Sequence, residues 1–122
     1  METMAAAGYV QSSAYTMIKD PQKISFSYRD NLWQGADLLA TGIASFGHLS
    51  GVHYQNVADW NDYLTSLVDK RLPLGRAYTP SALQSMIRQL ILLLKRGYVE
   101  IRYFNEKFGR DIWQEYQTVW QQ

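Results

Sequence analysis

The chain has 122 residues, with 12 lysines and arginines against 11 aspartates and glutamates and a 47% share of hydrophobic residues. The near-balance of charge leaves no long-range field to favour nucleic acid, acidic substrates or an anionic membrane, and the apolar share suffices for a buried core. No cysteine occurs, which excludes a disulfide framework and thiolate-held zinc and makes the cytoplasm the expected compartment.

Residues 1–8 are small and apolar but lack the basic start and longer apolar stretch of a signal peptide, so they predict the end of a helix closed by Gly8. Residues 9–17, rich in hydroxyl-bearing and aromatic side chains, predict a strand or strand end, and Pro21 then sits in a polar loop. Helix followed by strand is the pattern of the closing part of an α/β barrel. Residues 38–46 are mostly apolar and predict a buried strand of a parallel sheet. Gly42 and Gly47 interrupt it, as glycine does where a strand bulges or a ligand or backbone comes close. A turn over residues 48–51 leads to a second extended piece, residues 52–55.

From Asn56 the signals turn helical. Asn56 is the predicted cap, and Trp60, Tyr63, Leu64, Leu67 and Val68 recur on one face. Leu72-Pro73-Leu74-Gly75 breaks the pattern, after which Thr79 caps a new helix with Pro80 at its first position. Leu83, Met86, Ile87, Leu90, Ile91 and Leu94 make the strongest stripe, and Leu92 and Leu93 widen it, predicting burial on two sides. The apolar run at 90–94 is far too short to span a bilayer. Ile101, Phe104 and Phe108 predict a short helix ending at Gly109. Ile112, Tyr116, Val119 and Trp120 predict another, opened by Asp111 with Gln114 at capping-box spacing. Arg88, Lys95, Arg96, Arg102, Lys107 and Arg110 are interleaved with Glu100, Glu106 and Asp111, so this half predicts a solvated face and no nucleic-acid partner.

Several ordered segments carry a resemblance. They are Ala7-Gly8-Tyr9, Asn31-Leu32-Trp33-Gln34-Gly35, Gly42-Ile43-Ala44-Ser45-Phe46-Gly47, Tyr54-Gln55-Asn56, Leu72-Pro73-Leu74, Arg88, and residues 104–109. In this order and spacing the chain resembles the C-terminal part of radical SAM proteins related to oxygen-independent coproporphyrinogen III oxidase, a group that also includes haem chaperones. Where that family has a tyrosine-glutamate-x-serine pattern, this chain has Gln11-Ser12-Ser13 after Tyr9.

The resemblance implies an α+β fold: residues 1–56 as strands and connections of the barrel, residues 57–122 as a helical, winged-helix-like domain. It implies a piece cut at both ends, without the cysteine motif that holds a [4Fe-4S] cluster. Such a cluster needs thiolate ligands, so no cofactor is expected on this chain, while S-adenosylmethionine and the cluster belong to the parent. It implies further that Gly42, Ile43, Ala44 and Ser45 face S-adenosylmethionine or substrate.

His48 and His53 have no metal-ligand spacing, and no metal site is expected; a contact to a substrate propionate is the functional expectation for both. Arg29 is the third substrate candidate, because a guanidinium fork matches carboxylates and porphyrins carry several. The implied partner is a tetrapyrrole or haem in the parent, with no membrane span, and self-association of the opened barrel edge. The chain alone is not expected to be catalytic. The second reading is a stand-alone binding or interaction module.

Overall fold

The computed structural model describes residues 2–121. In chain order the elements are α1 (Glu2–Ala6), β1 (Val10–Ser13), β2 (Thr16–Ile18), α2 (Ser27–Trp33), β3 (Phe46–Leu49), β4 (Val52–Asn56), α3 (Trp60–Val68), β5 (Leu74–Tyr78), α4 (Ala82–Leu94), α5 (Ile101–Phe108), α6 (Ile112–Glu115) and α7 (Gln117–Trp120). The fold is α+β, with its sheets small and antiparallel. It divides into two compact units: Gly35–Ser81 is one, and the stretches on either side of it together form the other. The division expected between residues 56 and 57 falls inside the first, between β4 and α3.

In the flanking unit the core is set by helical periodicity. Met86, Leu90 and Leu93 of α4 meet Phe104 of α5 and Ile112 of α6, and Met86 and Phe104 are fully buried. Trp33, Val99, Tyr103, Phe108, Tyr116 and Trp120 pack around this cluster. Gln89 is buried on the same helix face, and its amide oxygen lies 2.5 Å from the Tyr103 hydroxyl, which offsets the cost of burying the amide. The stripe expected to be buried on two sides is buried on one. Leu83, Ile87, Ile91 and Leu94 remain exposed, because α5 and α6 cover only the face carrying residues 86, 90 and 93.

Three further expectations are corrected in this unit. The strand or strand end expected over residues 9–17 is a hairpin of two strands, β1–β2 over residues 10–18, tied to the end of α4 by the Ala14 amide donating to Lys95 O at 2.6 Å. The helix expected to start at Pro80 starts at Ala82, past the end of β5 at Tyr78. The last helix is split at Tyr116 into α6 and α7. Asp111 caps α6 as expected, accepting from the Trp113 and Gln114 amides at 3.0 and 3.1 Å.

In the unit Gly35–Ser81, β4 is the central strand of the order β3-β4-β5. The register pairs Phe46 with Gln55, Gly47 with Tyr54, and His48 with His53; across the other side His53 pairs with Tyr78, Tyr54 with Ala77, and Gln55 with Arg76. Alternation along a strand therefore puts Phe46, His48, His53, Gln55, Arg76 and Tyr78 on one face. Gly47, Leu49, Val52, Tyr54 and Ala77 share the other. Asp59 caps α3 by accepting from the Asp62 amide at 3.0 Å. Asn56, the expected cap, is instead the last residue of β4.

Candidate ligand-facing site

Residues 38–46, expected as a buried strand of a parallel sheet, are not one. A single antiparallel bridge joins Leu38 to His48, and the backbone then runs irregularly to Phe46, with positive φ at Gly42 (98°) and Ala44 (56°). Backbone outside a ladder must find other partners for its polar groups, and here the side chains of residues 54–63 supply them. Asn56, buried at the end of β4, donates through Nδ2 to Gly42 O at 2.9 Å and, at the limit of bonding distance, to Ala40 O at 3.4 Å. The Tyr54 hydroxyl accepts from the Ala40 amide at 2.8 Å, and the Tyr63 hydroxyl accepts from the Gly42 amide at 3.0 Å. Gln55 donates through Nε2 to Ala44 O at 3.0 Å. Backbone bonds from Ala44 to Val57 O and from Asn56 to Ser45 O close the segment, both at 3.0 Å.

The Tyr54 ring reaches Ala40 by lying across Gly47. A Cβ at position 47 would sit 2.3 Å from Tyr54 Cζ, so any side chain there would push the Tyr54 ring from its place over the strand. Gly42, Ile43, Ala44 and Ser45 are thus one pinned loop rather than a strand. The Thr41, Ile43 and Ser45 amides make no hydrogen bond to any described residue. These amides are the groups such a loop would offer to a nucleoside or another polar ligand.

His48 and His53 face each other across β3 and β4, with ring centroids 4.8 Å apart and planes tilted by 43°. His48 is buried and His53 half-buried. Their face also holds Arg76, which donates from Nε to Gln55 Oε1 at 2.7 Å and lies over the Phe46 ring at 5.9 Å. Gln55 is therefore a bridge, with its amide nitrogen on the loop at Ala44 and its amide oxygen on Arg76. A cavity of about 350 Å³ opens on this face between Phe46, His53, Gln55, Arg76 and Tyr78. Nothing local in the sequence marks Arg76 beyond its period-2 spacing with Tyr78, and Pro73 and Gly75 mask β5 as a breaker. On the opposite face Leu39, Leu49, Leu67, Leu72 and Leu74 line a larger apolar cavity of about 450 Å³.

Arg29 lies in the flanking unit, on α2. Its Nε donates to Asp30 Oδ1 at 2.8 Å and its Nη1 to Ser12 Oγ at 3.4 Å, and its guanidinium lies 5.0 and 5.1 Å from the Phe26 and Trp33 ring centres. The head group is already held by the protein on several sides.

The residues present do not fit an iron–sulfur cluster. The chain has no cysteine, and among the described residues no three histidine, aspartate or glutamate side chains group to hold a metal. Among the described residues no helix is long and apolar enough to cross a membrane.

No protein-family model and no curated protein matches the chain. Its fold is similar to that of a solved structure, coproporphyrinogen III oxidase (HemN) from Escherichia coli, described as a radical SAM enzyme: TM-score 0.75 at 12% sequence identity. The overlap takes in 98% of this chain and 30% of that one, so the chain spans under a third of the length of the protein it matches.

Proposed function

We propose that this chain is the cluster-free portion of a coproporphyrinogen III oxidase-like radical SAM protein of tetrapyrrole or haem metabolism, supplying substrate-side walls and packing residues. The fold overlap with the Escherichia coli enzyme over almost the whole chain carries the reading. The pinned loop adds to it: Gly42, Ile43, Ala44 and Ser45 form a wall whose shape is fixed by Asn56, Tyr54 and Tyr63 before any ligand arrives. Residues 1–56 would then derive from the barrel and residues 57–122 from the winged-helix-like domain beyond it.

In the parent, S-adenosylmethionine and the cluster supply the radical. This chain's residues hold and orient: the loop amides of Ile43 and Ser45 toward the nucleoside, and His48 and His53 toward a substrate carboxylate. Arg29 would take a carboxylate in its own unit by exchanging the partner it now has in Asp30. The compartment would be the cytoplasm. Reading the DNA that flanks the coding segment tests the proposal. A three-cysteine motif in frame or in an adjacent reading frame supports it, and a chain bounded by stop codons with no cysteine-bearing neighbour contradicts it. A stand-alone binding module is the second reading, favoured by the way Gly35–Ser81 satisfies its own irregular backbone from within.

A further inference from the structure

The face of the three-stranded sheet that holds the two histidines also holds a cation, Arg76, whose terminal nitrogens bond to no described residue. Lys23, Arg29, Arg71, Arg102 and Arg110 each pair with a carboxylate. Arg76 pairs with none among the described residues, and its hydrogen bond to the protein leaves from Nε. Anchoring a guanidinium at Nε fixes its plane and leaves Nη1 and Nη2 as a fork, the geometry that meets a two-oxygen carboxylate side by side. The anchor is itself held, because Gln55 is tied through Nε2 to Ala44 O. The fork borders the cavity of about 350 Å³ whose other walls include Phe46, His53 and Tyr78, so an anion bound there lies against aromatic surface.

We propose that Arg76, positioned by Gln55, is the carboxylate-anchoring residue of a binding site for aromatic carboxylates on the Phe46–His53–Tyr78 face. The inference rests on the substrate-side reading for the ligand's biological identity and adds the residue that would fix the ligand's orientation. A carboxylate is favoured over a phosphate by charge. The unit carries Asp37, Asp59, Asp62 and Asp69 against Lys70, Arg71 and Arg76, and a single fork without a cluster of further cations or backbone amides suits a monoanion better than a dianion.

The test is titration of the whole chain with 2-naphthoate, followed by amide and arginine side-chain NMR, in the wild type, Arg76→Gln, Arg76→Lys and Gln55→Ala. The neutral 2-naphthamide and inorganic phosphate serve as competing probes. Saturable shifts at Phe46, His53, Arg76 and Tyr78 are expected with naphthoate. Affinity should fall at least about tenfold in Arg76→Gln and by a similar amount in Arg76→Lys, because an ammonium cannot chelate two oxygens in a plane. Gln55→Ala keeps the charge but frees the fork, and should weaken binding less than Arg76→Gln does.

Unchanged amide dispersion across β4 establishes that each variant is folded. Naphthamide binding as tightly as naphthoate, phosphate binding more tightly, or Arg76→Gln binding like the wild type would each overturn the site. The flanking reading frame tests the parent-protein proposal separately, so the two can fail independently.

Discussion

Replacing Asn56 by alanine should release the 40–45 loop without unfolding the sheet beneath it. Asn56 is 5% exposed and its Nδ2 lies 2.9 Å from Gly42 O; the second acceptor, Ala40 O at 3.4 Å, is too distant to count for much. Removing the donor strands the Gly42 carbonyl in a half-buried position, and a desolvated acceptor left without a partner costs about 1–3 kcal/mol. Taking about 2 kcal/mol as the centre of that range, opening of the loop should become roughly 30-fold more frequent. Native-state hydrogen exchange reads this directly at two amides, Gly42, bonded to the Tyr63 hydroxyl, and Ala44, bonded to Val57 O. Both should lose protection in Asn56→Ala, while amides of β4 paired to β3 keep theirs. Asn56→Asp should not rescue, since a carboxylate of the same size has no N–H to donate. Exchange at Gly42 and Ala44 within about twofold of the wild type would refute the idea that this side chain holds the loop.

Gly47→Ala places a Cβ inside the Tyr54 ring and should cost roughly 1–3 kcal/mol by overpacking, with loss of the Tyr54–Ala40 bond visible as faster Ala40 exchange. Phe104→Ala removes a fully buried ring from the α4–α5–α6 core and should cost about 3–5 kcal/mol in urea unfolding, with protection lost first in α4 and α5. Glu115 is held below its ordinary pKa by hydrogen bonding to Arg110, so this pair contributes above the unfolded glutamate pKa and is lost as pH falls through the lower folded value. Carboxyl NMR titration of Glu115 should show its midpoint rise in Arg110→Gln. Strand β5 is exposed at each of its five positions and lies at a sheet edge, so light scattering should show concentration-dependent association that a lysine at Ala77 suppresses.

The helical half was legible because its signals are local. Met86, Leu90 and Leu93 follow helical spacing onto one core face, and Asp111 caps within three residues of itself. Burial of the second face of α4 could not be read this way, since periodicity shows which residues are apolar and not which neighbours cover them. The loop at 40–45 is hidden in the sequence for a related reason. An apolar run bounded by glycines looks like a strand whether its backbone is satisfied by a ladder or by side chains, and here the partners Tyr54, Asn56 and Tyr63 lie 14 to 21 residues downstream. The local context of Asn56 offers a helix cap; the long-range carbonyls that claim its amide are invisible until the chain is folded. The sequence points to the two histidines but not to their setting, because Arg76 joins them only through the register of β4 and β5.

The substrate-side proposal is tested most directly by titrating the isotope-labelled chain with coproporphyrin III and mapping the amide shifts. Saturable shifts at Gly42, Ile43, Ala44, Ser45 and His53 are the expected result. Absence of any saturable change, or shifts confined to the exposed Leu83, Ile87 and Ile91 face of α4, would contradict it.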